Sequence, residues 1–353
     1  MSDDKQYFNE LVDLAMANPG LSAMRPVVEK ELLHYEIFQA LDAEGLLKGL
    51  VFQGGTSLRL CRGSDRFSED LDFAGGKDFS ADSMQKIKEC VERRIGERFG
   101  LKVVVNNKPA KVGDAGIQHV RVDKWWILIE TSPENPAMPR QKIKLEIANI
   151  PAHTRELVPL RANYDFLRAM PTLLVNAESL DEIVADKVLA FPTSLLDNQG
   201  QPVGPDSAKI RHRDIWDLAW MAGRGAKLVP RLVVAKIGDY GVVDYPGLLA
   251  SAIKQIPQIV KSPEFKAQMT RFIDSATVAR TIATEGYADY LAMEVGGLFI
   301  QMRTALGEMA YAQRQAAPVA SAAAKTVAAT PVDGEAAKPK AKAKRKLDSG
   351  LGH

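Results

Sequence analysis

Residues 51–73, VFQGGTSLRLCRGSDRFSEDLDF, constrain the fold of this chain more than any other stretch. An apolar run enters Gly54 and Gly55, a helical turn follows over 57–62, and residues 70–74 then alternate acidic and apolar side chains. Alternation is the period of a strand, so Asp70 and Asp72 project from one face while Leu71 and Phe73 anchor the other. Strand candidates at 49–53, 70–74, 101–106, 118–122, 125–130 and 141–150, with a helix predicted over 80–99, make this an α/β mixed sheet.

Two like charges held side by side cost free energy unless a cation neutralises them. Oxygen donors of this kind suit Mg²⁺, and two such ions roughly 3.5–4 Å apart can clamp the attacking and leaving oxygens of an in-line phosphoryl displacement. That chemistry needs a third carboxylate on a neighbouring strand. Glu146 in IKLEIANI is the first candidate, because it alternates with Leu145 and Ile147; Glu130 is the reserve. Either could also accept a proton from an attacking hydroxyl. At Gly54 and Gly55 no Cβ intervenes between backbone N–H groups and a phosphate, and Thr56 and Ser57 add hydroxyl donors.

The rest of the chain frames this segment. Helical patterns run over 7–16 and 26–47 before the first strand, and over 180–191, 209–221 and further segments between 228 and 313. Residues 151–171 read as a connection and 193–206 as an exposed loop. The expected organisation is a catalytic domain at 1–150, a mainly helical domain at 151–316 completing the cleft, and a disordered Ala/Pro/Lys-rich tail at 317–353. The net charge of +2 conceals the segment KPKAKAKRK at 338–346, which could hold RNA electrostatically or act only as a solvating tail. No basic leader or long apolar run is present, which implies a cytoplasmic protein without a membrane partner. Cys61 and Cys90 read as free thiols. His34, His119, His153 and His212 have no triad spacing, so nucleophilic catalysis is disfavoured.

Several residues keep two readings from their spacing. Leu180, Ile183, Val184, Val188 and Phe191 form an apolar helical stripe with Lys187 beside or within it, so Lys187 either snorkels to solvent or crosses the cleft to a phosphate. Arg213 and Asp217 lie one turn apart and could be a surface pair. Arg59, Arg62 and Arg66 flank the glycine turn and could hold phosphate or nucleic acid, or form a solvated helix face.

GGTSLRL at 54–60, RFSEDLDF at 66–73, ADK at 185–187 and RDIWDL at 213–218 together resemble the nucleotidyltransferase family that includes the AbiEii/AbiGii toxins of abortive-infection and type IV toxin–antitoxin systems. The match covers roughly residues 45–225. The resemblance implies a polymerase-beta-type fold, nucleotide phosphate bound by Gly55, Thr56 or Ser57, Mg²⁺ held by Asp70 and Asp72, and active-site roles for Lys187 and Asp217. It implies an enzyme that moves an NMP from an NTP to an acceptor with release of pyrophosphate, the acceptor being the 3′ end of tRNA, and a cognate antitoxin as partner. A protein or small-molecule acceptor such as an antibiotic, and a regulator that binds nucleotide or RNA without transfer, are the alternatives.

Overall fold

The glycine turn forms as the sequence requires. Strand β1 (Val51–Gln53) ends at Gly54, whose φ of 77° is open to glycine at little cost, and helix α3 (Gly54–Arg62) starts there. The computed structural model describes residues 3–108, 120, 122–132, 140–197 and 199–316. Strands β2 (Leu71–Ala74), β3 (Lys102–Lys108), β4 (Val122–Glu130), β5 (Gln141–Ala148), β6 (Glu156–Pro159) and β7 (Leu174–Ala177) join β1 in one sheet of order β3-β4-β5-β2-β1-β7-β6. The β2–β5 and β1–β7 pairs are parallel and the others antiparallel.

The parallel register of β2 on β5 sets Asp72 opposite Glu146 and Leu71 opposite Leu145. Leu71, Phe73, Leu145 and Ile147 are buried on one side of the sheet, so the alternation expected over 70–74 and at Glu146 is present. Under the two acid-bearing strands, Phe52 and Phe73 stack with ring centroids 5.1 Å apart, and Phe38 of α2 (Arg25–Ala43) meets Phe52 edge-on at 4.8 Å. Such packing fixes the strands that carry the acids; deleting a buried Phe ring typically costs about 3–5 kcal/mol. Helices α1 (Asp3–Ala15) and α4 (Ala81–Phe99) complete this layer, with Phe8 packed edge-on against Phe99.

A second apolar cluster lies among α5 (Leu180–Thr193), α6 (His212–Gly223), α7 (Pro230–Tyr240), α8 (Tyr245–Ile259), α9 (Pro263–Phe272), the short α10 (Ser275–Arg280) and α11 (Tyr287–Ala316). Leu58 of α3 belongs to it, so the short helix after the glycine turn ties the sheet to the helices. Met1–Met309 forms one compact unit; of the second, Ala310–His353, only residues 310–316 are described, as helix. No helix among the described residues is long and apolar enough to cross a membrane.

Three differences from the sequence reading have physical causes. The stretch expected to be a connection, 151–171, contains β6, and β7 follows just beyond it. Both are four residues long, and β6 is an edge strand ending in Pro159, so neither offers enough alternation to read. Helices expected at 180–191 and 209–221 are observed as Leu180–Thr193 and His212–Gly223, with Pro192 inside the last turn of the first. The loop at 193–206 is drawn together by a bridge between Leu196 and Pro202. Most of the 118–122 strand candidate, His119, and the 317–353 tail with its basic segment lie outside the described residues.

Helix α5 is fixed from behind by a fully buried ammonium. Lys236 Nζ lies 2.9 Å from Glu178, 2.7 Å from Glu182 and 2.8 Å from Asp186. Burial and the neighbouring Asp186 carboxylate push the Glu178 carboxyl well above the usual range, against the pull of Lys236. Glu182 is held below it: burial works the other way, but Lys236 and hydrogen bonds from Thr154 and the His153 backbone prevail.

Candidate active site

Asp70, Asp72 and Glu146 converge at one end of the β2–β5 pair. Between them sits the ammonium of Lys144, which is two residues before Glu146 and so on the same face of β5. Its Nζ is 3.0 Å from Asp70 Oδ2 and 3.1 Å from Glu146 Oε2; Lys124 on β4 approaches Glu146 Oε1 at 3.3 Å. Burial, followed by the charge of Glu146, pushes the Asp72 carboxyl up to about 7, despite Lys144. Burial also acts to raise Glu146, yet Lys144 and Lys124 outweigh it and hold that carboxyl below the usual range. Glu130 is elsewhere. It pairs with Lys102 and lies six positions along β4 from the residue opposite Glu146, about 20 Å at strand rise.

The glycine turn closes over the acids. A Cβ on Gly54 would fall 2.8 Å from Asp72 Oδ2, and one on Gly55 would fall 2.3 Å from Arg66 Nη2. Both positions therefore exclude a side chain for reasons of space. Thr56 donates its hydroxyl to the Asp70 carbonyl, and Ser57 Oγ donates to the Gly54 carbonyl at 2.8 Å; both residues are buried. In this arrangement the two hydroxyls brace the turn and the strand start, and the backbone N–H groups at the head of α3 remain the donors best placed for an anion.

Opposite the carboxylates, α5 and α6 supply a buried ionic chain. Arg66 is bidentate to Asp217, with Nε–Oδ1 at 2.7 Å and Nη2–Oδ2 at 2.6 Å, and donates from Nη1 to the Phe67 carbonyl. Lys187 Nζ bridges Asp217 at 2.9 Å and Asp214 at 2.6 Å. Arg211 Nε then meets the other oxygen of Asp214 at 2.6 Å. Burial opposes ionisation of both aspartates, but Arg211 and Lys187 hold Asp214, and Arg66 and Lys187 hold Asp217, below the usual carboxylate range.

This chain settles several of the alternatives. Lys187 does not snorkel: it is buried and bound to two aspartates. Asp217 is fully buried, so it does not form a surface pair with Arg213; the Arg213 guanidinium instead covers the Phe272 ring at 4.6 Å and comes within 3.8 Å of Glu69. Nor do Arg59 and Arg62 form a solvated face. Arg59 binds Glu31 and stacks 4.0 Å over Phe67, while Arg62 pairs with Glu156 and donates to the Glu178 carbonyl. Cys61 is buried and its thiol is pushed up to about 12, so it is inert.

Lys144, Arg211 and Asp214 were not singled out in the sequence. Lys144 was legible in principle, since IKLE places a lysine on the face of its glutamate. Asp214 and Asp217 are three apart on one helix and share a face, a spacing that competes with the i,i+4 pairing of Arg213 and Asp217. Arg211 precedes the helix and carries no periodic signal.

Among the described residues no group of three or more His, Cys, Asp or Glu side chains forms a ready-made metal cage. The donor set nevertheless fits a hard divalent cation. Asp70, Asp72 and Glu146 offer only carboxylate oxygens, and a cationic nitrogen already lies among them.

Residues 36–292 match the model of a family described as nucleotidyl transferase AbiEii toxin, type IV toxin–antitoxin system. No curated protein matches. Among solved structures, the chain is similar to MenT4, a nucleotidyltransferase toxin from Mycobacterium tuberculosis H37Rv, at 16% identity and a TM-score of 0.48, covering 83% of this chain and 92% of that one. It is also similar to JHP933 from Helicobacter pylori, at 16% identity and a TM-score of 0.44, covering 82% and 97%.

Proposed function

The chain belongs to the AbiEii nucleotidyl transferase toxin family of type IV toxin–antitoxin systems, and from that premise we propose a specific reaction: transfer of a nucleoside monophosphate from an NTP to the 3′ end of a tRNA. The observation that carries the chemistry is Asp72 opposite Glu146, with Asp70 beside them, at the mouth of the glycine turn.

Asp70, Asp72 and Glu146 would hold Mg²⁺, two ions in the full site, which would supply charge neutralisation and orientation of the phosphoryl oxygens. Gly54 and Gly55 let the triphosphate approach the N–H groups that start α3, whose ends Thr56 and Ser57 brace. The acceptor hydroxyl oxygen bonds to the α-phosphorus as the bond from that phosphorus to the bridging oxygen breaks, and pyrophosphate leaves with the electron pair. The hydroxyl proton passes to Glu146, which Lys144 and Lys124 keep ionised. Arg66, Lys187 and Asp217 form the opposing wall and hold its shape. Catalysis is then mostly electrostatics and positioning.

The basic sequence at 338–346 suits an RNA acceptor, and the type IV family supports an antitoxin partner. The test incubates the protein with Mg²⁺, each α-labelled NTP in turn and total cellular RNA, beside Asp72→Ala. Label in a tRNA-sized band only with Asp72 intact is the expected result. Label in protein or in a small molecule would replace the acceptor, and NTP binding without transfer would leave a nucleotide-binding regulator.

A further inference from the structure

The cations around the cleft are unequal in what they leave free. Arg66 has three nitrogens engaged by Asp217 and the Phe67 carbonyl, Lys187 lies buried between two aspartates, and Lys144 is held among the carboxylates. Arg211 differs. Among the described residues its guanidinium is bound at Nε alone, to Asp214, and its side chain is 55% exposed. Asp214 is itself fixed by Lys187, so the guanidinium is held by one edge on a rigid support while its two terminal nitrogens carry no hydrogen bond among the described residues. It also lies close enough to Asp72 and Glu146 for their charges to interact, without forming an ion pair with either. Arg66, Lys187 and Arg211 bring three cations to the two aspartates Asp214 and Asp217, so the chain as a whole retains a positive charge.

A guanidinium anchored at Nε and open at its two terminal nitrogens is suited to bidentate recognition of phosphate oxygens. Its neighbours Asp72 and Glu146 belong to the proposed site of transfer, so the phosphates it can reach are those beyond the reacting one. We propose that Arg211 is the residue that grips the β- and γ-phosphates of the donor NTP and stabilises the departing pyrophosphate. This rests on the nucleotidyl-transfer reading. It gives Lys187 a different part: a buried strut that holds Asp214, and through it Arg211, in place. Arg211 is thus a catalytic residue, and Lys187 and Asp214 are positioning residues.

The test measures pyrophosphate binding by titration calorimetry with the full chain in Mg²⁺, comparing wild type, Arg211→Ala, Arg211→Lys and the distant surface variant Arg168→Ala. Mn²⁺ binding and thermal stability are measured on the same samples. The expected result is a loss of roughly tenfold or more for Arg211→Ala, partial recovery in Arg211→Lys, and no change in Arg168→Ala, with Mn²⁺ affinity and melting temperature held; one charge-assisted bidentate contact is worth about that much. Equal pyrophosphate affinity in wild type and Arg211→Ala overturns the assignment, as does a loss matched by weakened Mn²⁺ binding or a lower melting temperature. If wild type binds neither pyrophosphate nor any NTP, the transfer reading itself falls along with it.

Discussion

Asp72 on β2 faces Glu146 on β5 across a parallel ladder, and Lys144 bridges Glu146 to Asp70. Crowded carboxylates of this kind favour function over stability. Asp72→Asn and Glu146→Gln should each lower transfer by at least about 10²-fold, in line with removing one electrostatic group from a catalytic site. Neither should lower the melting temperature of the metal-free protein. Glu130→Gln should leave the rate within roughly twofold of wild type; a loss as large as that of Glu146→Gln would mean that the wrong third carboxylate has been named.

Lys144 neutralises Asp70 and Glu146, two of the carboxylates proposed to hold a divalent cation. Lys144→Met should therefore tighten Mn²⁺ binding, by roughly tenfold if displacing the ammonium costs about 1.4 kcal/mol, a modest figure for a half-buried ion pair. Electron paramagnetic resonance titration reads this directly. Weaker binding in the variant would show that the lysine assists the metal.

Arg66 and Asp217 are both buried, so removing one partner leaves the other charge uncompensated. Arg66→Met should cost about 3–5 kcal/mol in urea unfolding. The exposed Asp165–Arg168 pair supplies the contrast: Arg168→Ala should be close to neutral, as surface pairs are. Comparable losses in the two variants would contradict the burial on which this distinction depends.

The cage behind α5 makes a similar demand. Lys236→Met strands Glu178, Glu182 and Asp186 and should also destabilise by about 3–5 kcal/mol. Adding Glu182→Gln should restore part of that loss, because Glu182, which Lys236 holds below the usual carboxylate range, is one of the charges left behind. An unchanged double variant would show that Glu182 is not stranded as an uncompensated charge.

Glu36 gives a pH signature remote from the cleft. Burial raises its carboxyl to about 7, with Arg98 opposing from 2.9 Å. A folded value above the unfolded one means that the proton stabilises the fold: the contribution is complete below about 4.3 and is lost as pH rises through 7. Glu36→Gln should be more stable than wild type at pH 8 by about 3 kcal/mol, with most of that advantage gone at pH 5. The same difference at both pH values would rule this account out.

Much of the sheet side of the cleft was legible because it is written locally. Asp70 and Asp72 alternate with Leu71 and Phe73, Glu146 alternates with its neighbours, and the two glycines sit between strand and helix. The partners of Lys187 and Asp217 were not legible in the same way. Spacing offers Arg213 as the partner of Asp217, one turn away, whereas the structure supplies Arg66 from a distant loop; only tertiary packing decides between a near weak pair and a far buried one. Strands β6 and β7 escaped for a simpler reason, since four residues are too few to show a period.

Arg66 and Asp217 are 151 residues apart in sequence, and Lys187 falls between them. During translation the acidic strands and glycine turn emerge long before α6, and until it does Arg66 has no partner and Lys187 neither of its aspartates. A ribosome making this chain thus carries an unfinished cleft until α6 has emerged. Chains aborted or clipped before residue 217 retain the acids yet lack the aspartate that Arg66 and Lys187 bind, so the two walls of the cleft come into being at separate moments of synthesis.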